Sequence, residues 1–239
     1  MAQNISSPSS LIRTSISVFF KKETFVYFLS LVFVGLGIGI AVAIITFLLT
    51  GGVFLAGGEF VQSPVAFIIY IVLMFVFILV GIWAQAVMYE SVYRAASAGE
   101  LAVRSTLVSS WKKLLRFFLT SILFILVVSF GFILFIIPGM IFAIWFGFAQ
   151  FIAISEGLGP RASLARSRQL VKGRFWAVAG RLSFIILAII IAQIVLSIIP
   201  FVGALASMLF APLFLLPSYL LYRELSGAKS EKTLTGELG

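Results

Sequence analysis

Residues 117–155 read FFLTSILFILVVSFGFILFIIPGMIFAIWFGFAQFIAIS, and their reading decides the fold. The stretch carries no charge over 39 residues, between Arg116 and Glu156. As one helix it would be roughly 58 Å long at 1.5 Å per residue, about twice the ~30 Å hydrocarbon core of a bilayer. Pro138-Gly139 stands near its middle, and such a pair marks a turn while proline interrupts helical hydrogen bonding. The stretch therefore reads as a hairpin of two spans whose ends return to the same side.

Residues 182–222 repeat the pattern over 41 uncharged residues, divided by Pro200. Two further uncharged stretches, 24–58 and 60–89, supply one span each, the first ending near Leu49 and the second beginning near Pro64. Gly51-Gly52 and Gly57-Gly58-Glu59 read as a flexible connection between them. The expectation is an all-α membrane protein of six spans in three hairpins. Composition agrees: 62% of residues are hydrophobic and only 10% charged, too little polar material to cover a water-facing surface. The membrane domain is placed at 11–225, with a disordered Ser-rich tail at 1–10 and a cytoplasmic tail at 226–239. The first apolar run is too long for a secretory h-region.

Charge tests the span count independently. The 17 basic residues fall into four groups: Arg13, Lys21, Lys22; then Arg94 to Arg116; then Arg161 to Arg181; then Arg223, Lys229, Lys232. The turns around Gly51–Glu59, Pro138 and Pro200 hold no Lys or Arg. Under the positive-inside rule all basic segments are expected to be cytoplasmic, which places both termini inside.

The basic segments are themselves amphipathic. In 11–22, Leu11, Ile12, Ile16, Phe19 and Phe20 share one helical face; in 100–118, Leu107, Val108, Trp111, Leu115 and Phe118 form a stripe. Ser97 and Glu100 have capping-box spacing. In 160–175, Leu164, Val171 and Phe175 fall together behind Pro160, a residue suited to a first helical turn. Each reads as a helix at the inner interface. The segments also superpose: Arg13-Thr14, Arg104-Ser105 and Arg166-Ser167 are each followed, eight residues after the Arg, by Lys21, Lys112 or Arg174. This gives three repeat units, about 11–90, 100–156 and 161–224, each an interfacial helix followed by a hairpin.

Histidine, cysteine and aspartate are all absent, which removes imidazole bases, thiolate nucleophiles and Cys/His metal sites. No catalytic residue, cofactor or metal is expected. The cations Arg13, Lys21, Arg104, Lys112, Lys113, Arg116, Arg166, Lys172 and Arg174 are candidates for anionic lipid headgroups, though positive inner loops also serve topogenesis. Glu90, Glu156 and Glu224 each end a hairpin beside basic residues, and read as clasps to Arg94, Arg161 and Arg223 or as ion or proton sites. Gln85, Gln150 and Gln193 lie deeper and can hydrogen-bond across helices. Gly35 and Gly39 have the spacing for close helix packing or a dimer face.

Residues 136–178 read IIPGMIFAIWFGFAQFIAISEGLGPRASLARSRQLVKGRFWAV. The Pro-Gly turn, the aromatic span, Glu156-Gly157-Leu158-Gly159-Pro160, Ala165-Arg166-Ser167 and 171–176 together resemble the membrane domain of glycerophosphoryl diester phosphodiesterases and of related prokaryotic multi-pass proteins. The resemblance implies a six-helix membrane domain. It does not bring the phosphodiesterase activity, whose soluble domain works with histidines and metal-binding carboxylates. Two functions follow as expectations. One is a non-enzymatic membrane module that binds lipid, a protein partner or its own copy, and no nucleic acid; the other is a small transporter or channel.

Overall fold

A computed structural model describes residues 6–55, 64–97, 101–198 and 202–236. These form nine helices: α1 Pro8–Phe19, α2 Lys22–Leu55, α3 Pro64–Ala96, α4 Val103–Leu134, α5 Ile136–Phe146, α6 Ala149–Ser155, α7 Pro160–Val171, α8 Phe175–Ser197 and α9 Val202–Gly236. Among the described residues there is no strand. Six segments are long and apolar enough to cross a membrane: α2, α3, α4, the α5–α6 pair, α8 and α9. Helices satisfy their own backbone groups, which is what an apolar solvent demands.

Side-chain placement is inverted relative to a water-soluble protein. Phe33, Ile40, Phe47, Phe67, Phe75, Ile190 and Ile194 are exposed along the spans, while Ser15, Thr106, Ser110, Thr120, Ser163 and Ser167 are buried. Lipid tails are as apolar as leucine, so burial of large side chains drives little; close approach through small residues and interhelical hydrogen bonds takes over. The tight core sits at the basic end, where Phe19, Phe28, Phe148, Ile152, Leu216 and Leu221 are buried.

Several sequence expectations shift. The second basic segment is no separate interfacial helix: α4 runs unbroken through it and the following span. Its apolar stripe faces outward from the bundle. Val108, Trp111 and Leu115 are exposed, and Thr106, Ser110, Phe117 and Thr120 pack inward, because apolar residues face an apolar solvent at no cost. The start is set by Ala102 without a side-chain cap, and Glu100 lies outside the described residues. In the first segment Leu11 and Phe19 are buried with Ser15, whereas Ile16 and Phe20 are exposed. In the third segment α7 ends at Val171 and Phe175 begins α8; Leu164 and Val171 are buried with Ser163, Ser167 and Leu170, and Phe175 is half-buried.

The turn of the 117–155 hairpin is a single extended residue, Phe135. Pro138 falls in the first turn of α5, where a missing N–H costs nothing. A β-carbon at Gly131 would lie 2.9 Å from the Gly139 Cα, and one at Gly139 would collide with the Phe132 ring; both glycines are required for this closure. Pro200 and much of the 51–59 connection lie outside the described residues, but α2 continues through Gly51-Gly52 to Leu55. Each glycine there costs about 1 kcal/mol relative to alanine, less than exposing backbone groups to lipid. At the ends, α1 begins at Pro8 with Ser7 as its cap, the Ser10 N–H donating to Ser7 Oγ at 3.2 Å. Likewise α9 extends to Gly236 rather than ending near 225.

Candidate functional site

The basic end of the bundle gathers the charged residues singled out in the sequence, and sorts them into two kinds. Glu90 is 1% exposed and holds two cations: Arg94 Nε at 3.0 Å, one turn along α3, and Lys113 Nζ at 2.8 Å, from α4. Ser109 Oγ donates to the same carboxylate at 2.9 Å, and Arg94 Nη1 donates to Ser105 Oγ at 3.0 Å. Helical spacing on α4 puts Ser105, Ser109 and Lys113 on one face, so a single stripe reaches across to α3. Among the described residues the result is a buried network that joins Glu90 to Arg94 and Lys113.

Glu156 caps the C-terminus of α6, where a helix dipole disfavours negative charge. Tyr222 Oη donates to it at 2.9 Å, and its ion partner is Arg166 Nε at 3.4 Å. The expected partner Arg161 is exposed instead; α7 presents Arg166 because Gly157, at φ 69°, turns the chain back. Glu224 accepts from the Ser6 N–H at 3.2 Å, while Arg223 Nη1 donates to the Ala96 carbonyl at 2.6 Å. That pins the N-terminal segment to α9, assisted by Arg181 Nε donating to the Ser6 carbonyl at 2.8 Å.

The headgroup candidates divide accordingly. Lys113 and Arg166 are committed to glutamates. Arg13, Lys21, Arg104, Lys112, Arg116 and Lys172 are exposed, and Arg174, the residue capping α8, is half-buried. Among the described residues none of these seven forms an ion pair.

Tyrosines supply ties that sequence reasoning missed. Tyr27 pairs with Thr106 at 2.7 Å, Tyr89 donates to Gln150 Oε1 at 2.8 Å, and Tyr219 pairs with Ser97 at 3.1 Å. Gln150 and Gln193 do bond across helices, Gln193 accepting from Ser207 at 2.9 Å, whereas Gln85 is exposed. A second missed feature is the break between α5 and α6. Ser167 Oγ, fully buried on α7, donates to the Trp145 carbonyl at 2.8 Å and accepts from the Phe148 N–H at 3.2 Å. Arg168 lies 4.6 Å over the Trp145 ring. The backbone groups freed by the interruption are thus satisfied by a neighbouring helix. No sequence signal gives this pairing, beyond the repeated Arg-Ser/Thr dipeptide to which Ser167 belongs.

Within the chain, Gly39 stands at no close helix contact and Gly35 faces only a side chain of α9. A β-carbon at Gly39 would meet nothing within 4 Å, and one at Gly35 only the Met208 methyl at 3.1 Å. Instead they border a cleft of about 610 Å³ between α2, α3 and α9, with Leu107 of α4 at one end.

No known protein family matches the chain, and no curated protein or solved structure is detectably similar to it.

Proposed function

We propose that this chain is a non-enzymatic, lipid-binding integral membrane module of the prokaryotic cytoplasmic membrane, with both termini on the cytoplasmic side. The observation that carries the reading is the sorting of its cations. Arg13, Lys21, Arg104, Lys112 and Lys172 stand exposed and without an ion pair among the described residues, at the end of the bundle where the spans meet polar sequence. Structural clasps use other cations, Lys113 and Arg166. Free charge beside apolar spans is suited to anionic lipid headgroups. The absence of His, Cys and Asp from the chain supports a role without catalysis. The three units read from the sequence fit the same proposal, with α1 and α7 standing before the first and third hairpins.

The transporter reading draws on the discontinuous fourth span. In transporters, broken helices offer backbone groups to substrate; here Ser167 takes those groups, which favours the lipid reading.

Changing Arg104, Lys112 and Lys172 together to Gln tests it. Each cation contributes about 1 kcal/mol near an anionic surface, so each loss weakens the purified protein's affinity for phosphatidylglycerol in mixed micelles roughly fivefold. Salt should narrow the gap between variant and parent. Equal anionic-lipid affinity in a correctly inserted triple variant would sink the proposal.

A further inference from the structure

The geometry points to an occupant for the cleft between α2, α3 and α9. We propose that it holds one acyl chain of a phospholipid from the leaflet on the basic side, with the anionic headgroup at the α3–α4 inner end. The inference rests on the lipid-binding reading above and gives that reading a location.

Length is the first argument. The lining runs from Phe28 to Gly39 on α2 and from Val80 to Ser91 on α3, eleven residue steps on each. At 1.5 Å per residue that is roughly 16 Å, about half of a ~30 Å hydrocarbon core. The cleft is therefore as long as one leaflet is deep, and it ends at the basic side of the spans.

Chemistry is the second. Apart from Gln85 and Ser91 the lining is almost wholly apolar, and the cavity of about 610 Å³ lies within the ~300–1,000 Å³ range of ligand sites. Bulk at Gly39 would fit without meeting a neighbour, so the chain itself leaves this volume unfilled. Water needs two to four polar partners to settle in a cavity, and a void forfeits dispersion contacts along its walls. The solvent around apolar spans is acyl chain.

Charge is the third. Ser91 adjoins Glu90, and Leu107 lies one turn from Arg104. Arg94 and Lys113 meet Glu90 at this end, and Arg104 adds an exposed cation one turn from the lining Leu107. Among the described residues the balance of charge here is positive, with Arg104 exposed. An anionic headgroup completes it.

The test fills the cleft. Parent protein and the Gly39→Leu/Ala84→Leu double variant are reconstituted in vesicles of phosphatidylglycerol and phosphatidylcholine, re-extracted in detergent, washed, and weighed intact by native mass spectrometry. The parent should retain one phosphatidylglycerol per chain. Retention should fall in the filled variant, each displaced methylene weakening binding roughly fourfold. Its melting temperature should hold, since leucine is a better helix former than glycine; Gly39→Leu alone, giving a smaller loss, guards against a folding defect in the double variant. Equal retention in parent and filled variant would overturn the cleft assignment, while the Arg104/Lys112/Lys172 substitutions still test headgroup binding separately. Retention of phosphatidylcholine as readily as phosphatidylglycerol would overturn the headgroup assignment. As a second readout, Trp83 borders the cleft; with the other three tryptophans changed to Phe, brominated phosphatidylglycerol chains should quench its fluorescence in the parent and less in the filled variant. Equal quenching in both contradicts the proposal.

Discussion

Glu90→Gln is expected to lower the stability of the detergent-purified protein by about 3 kcal/mol, at the low end of what breaking a buried ion pair costs. The carboxylate is 1% exposed, and neutralising it takes from Arg94 and Lys113, 18% and 25% exposed, the negative charge they share. Glutamine preserves shape and can still accept from Ser109, so the loss isolates charge. Partial exposure of both cations lets solvent screen some of the repulsion, which sets the lower figure. Glu156→Gln provides the contrast. Its pair with Arg166 is 28% and 32% exposed at 3.4 Å, an arrangement worth about 0–1 kcal/mol. Adding Lys113→Gln to Glu90→Gln should recover part of the loss, because it removes the unpaired charge. Thermal unfolding in detergent reads all four proteins. Equal melting temperatures for Glu90→Gln and Glu156→Gln would show that burial does not set the worth of these clasps.

Ser167→Ala should be nearly as damaging, although it removes one oxygen. The hydroxyl serves two backbone groups at once, donating to the Trp145 carbonyl and accepting from the Phe148 N–H. A buried polar group left unsatisfied costs about 1–3 kcal/mol, and here both lie at a break that offers no helical partner. Arg168 still covers the Trp145 ring, so α7 stays near its place while the break loosens. Ser17→Ala is the comparison: its exposed hydroxyl donates to the Thr14 carbonyl, and such surface changes stay within about 0.5 kcal/mol. Hydrogen exchange localises the effect, with the Phe148 amide exchanging faster in Ser167→Ala. Protection equal to the parent's would mean that Ser167 does not hold the break.

The spans were legible in the sequence because hydrocarbon imposes a length and forbids charge, and residues 117–155 violate any reading but a hairpin. The position of its turn was not, because Pro-Gly marks a region of broken hydrogen bonding and proline is equally at home one turn into the following helix. Helical faces on α4 were readable as periodicity, yet their direction was not: the pattern of Val108, Trp111 and Leu115 is the same whether it meets protein or lipid. The glycines of α2 carry the same ambiguity, since small residues permit close contact and also leave a cleft. Among the clasps, Glu90–Arg94 follows from helical spacing. Lys113, Arg166 and Ser167 find their partners through tertiary packing, on which a single chain's spacing is silent.

Placement of the basic face on one side of the membrane carries the account, and accessibility of single cysteines tests it most directly. The chain has no native cysteine, so Gly57→Cys and Ser230→Cys each introduce one unique thiol. In intact cells, a membrane-impermeant maleimide should label Gly57→Cys and leave Ser230→Cys unlabelled until the membrane is opened. Labelling of Ser230→Cys from outside would contradict the six-span count with both termini inside, and with it the assignment of the exposed cations to the inner leaflet.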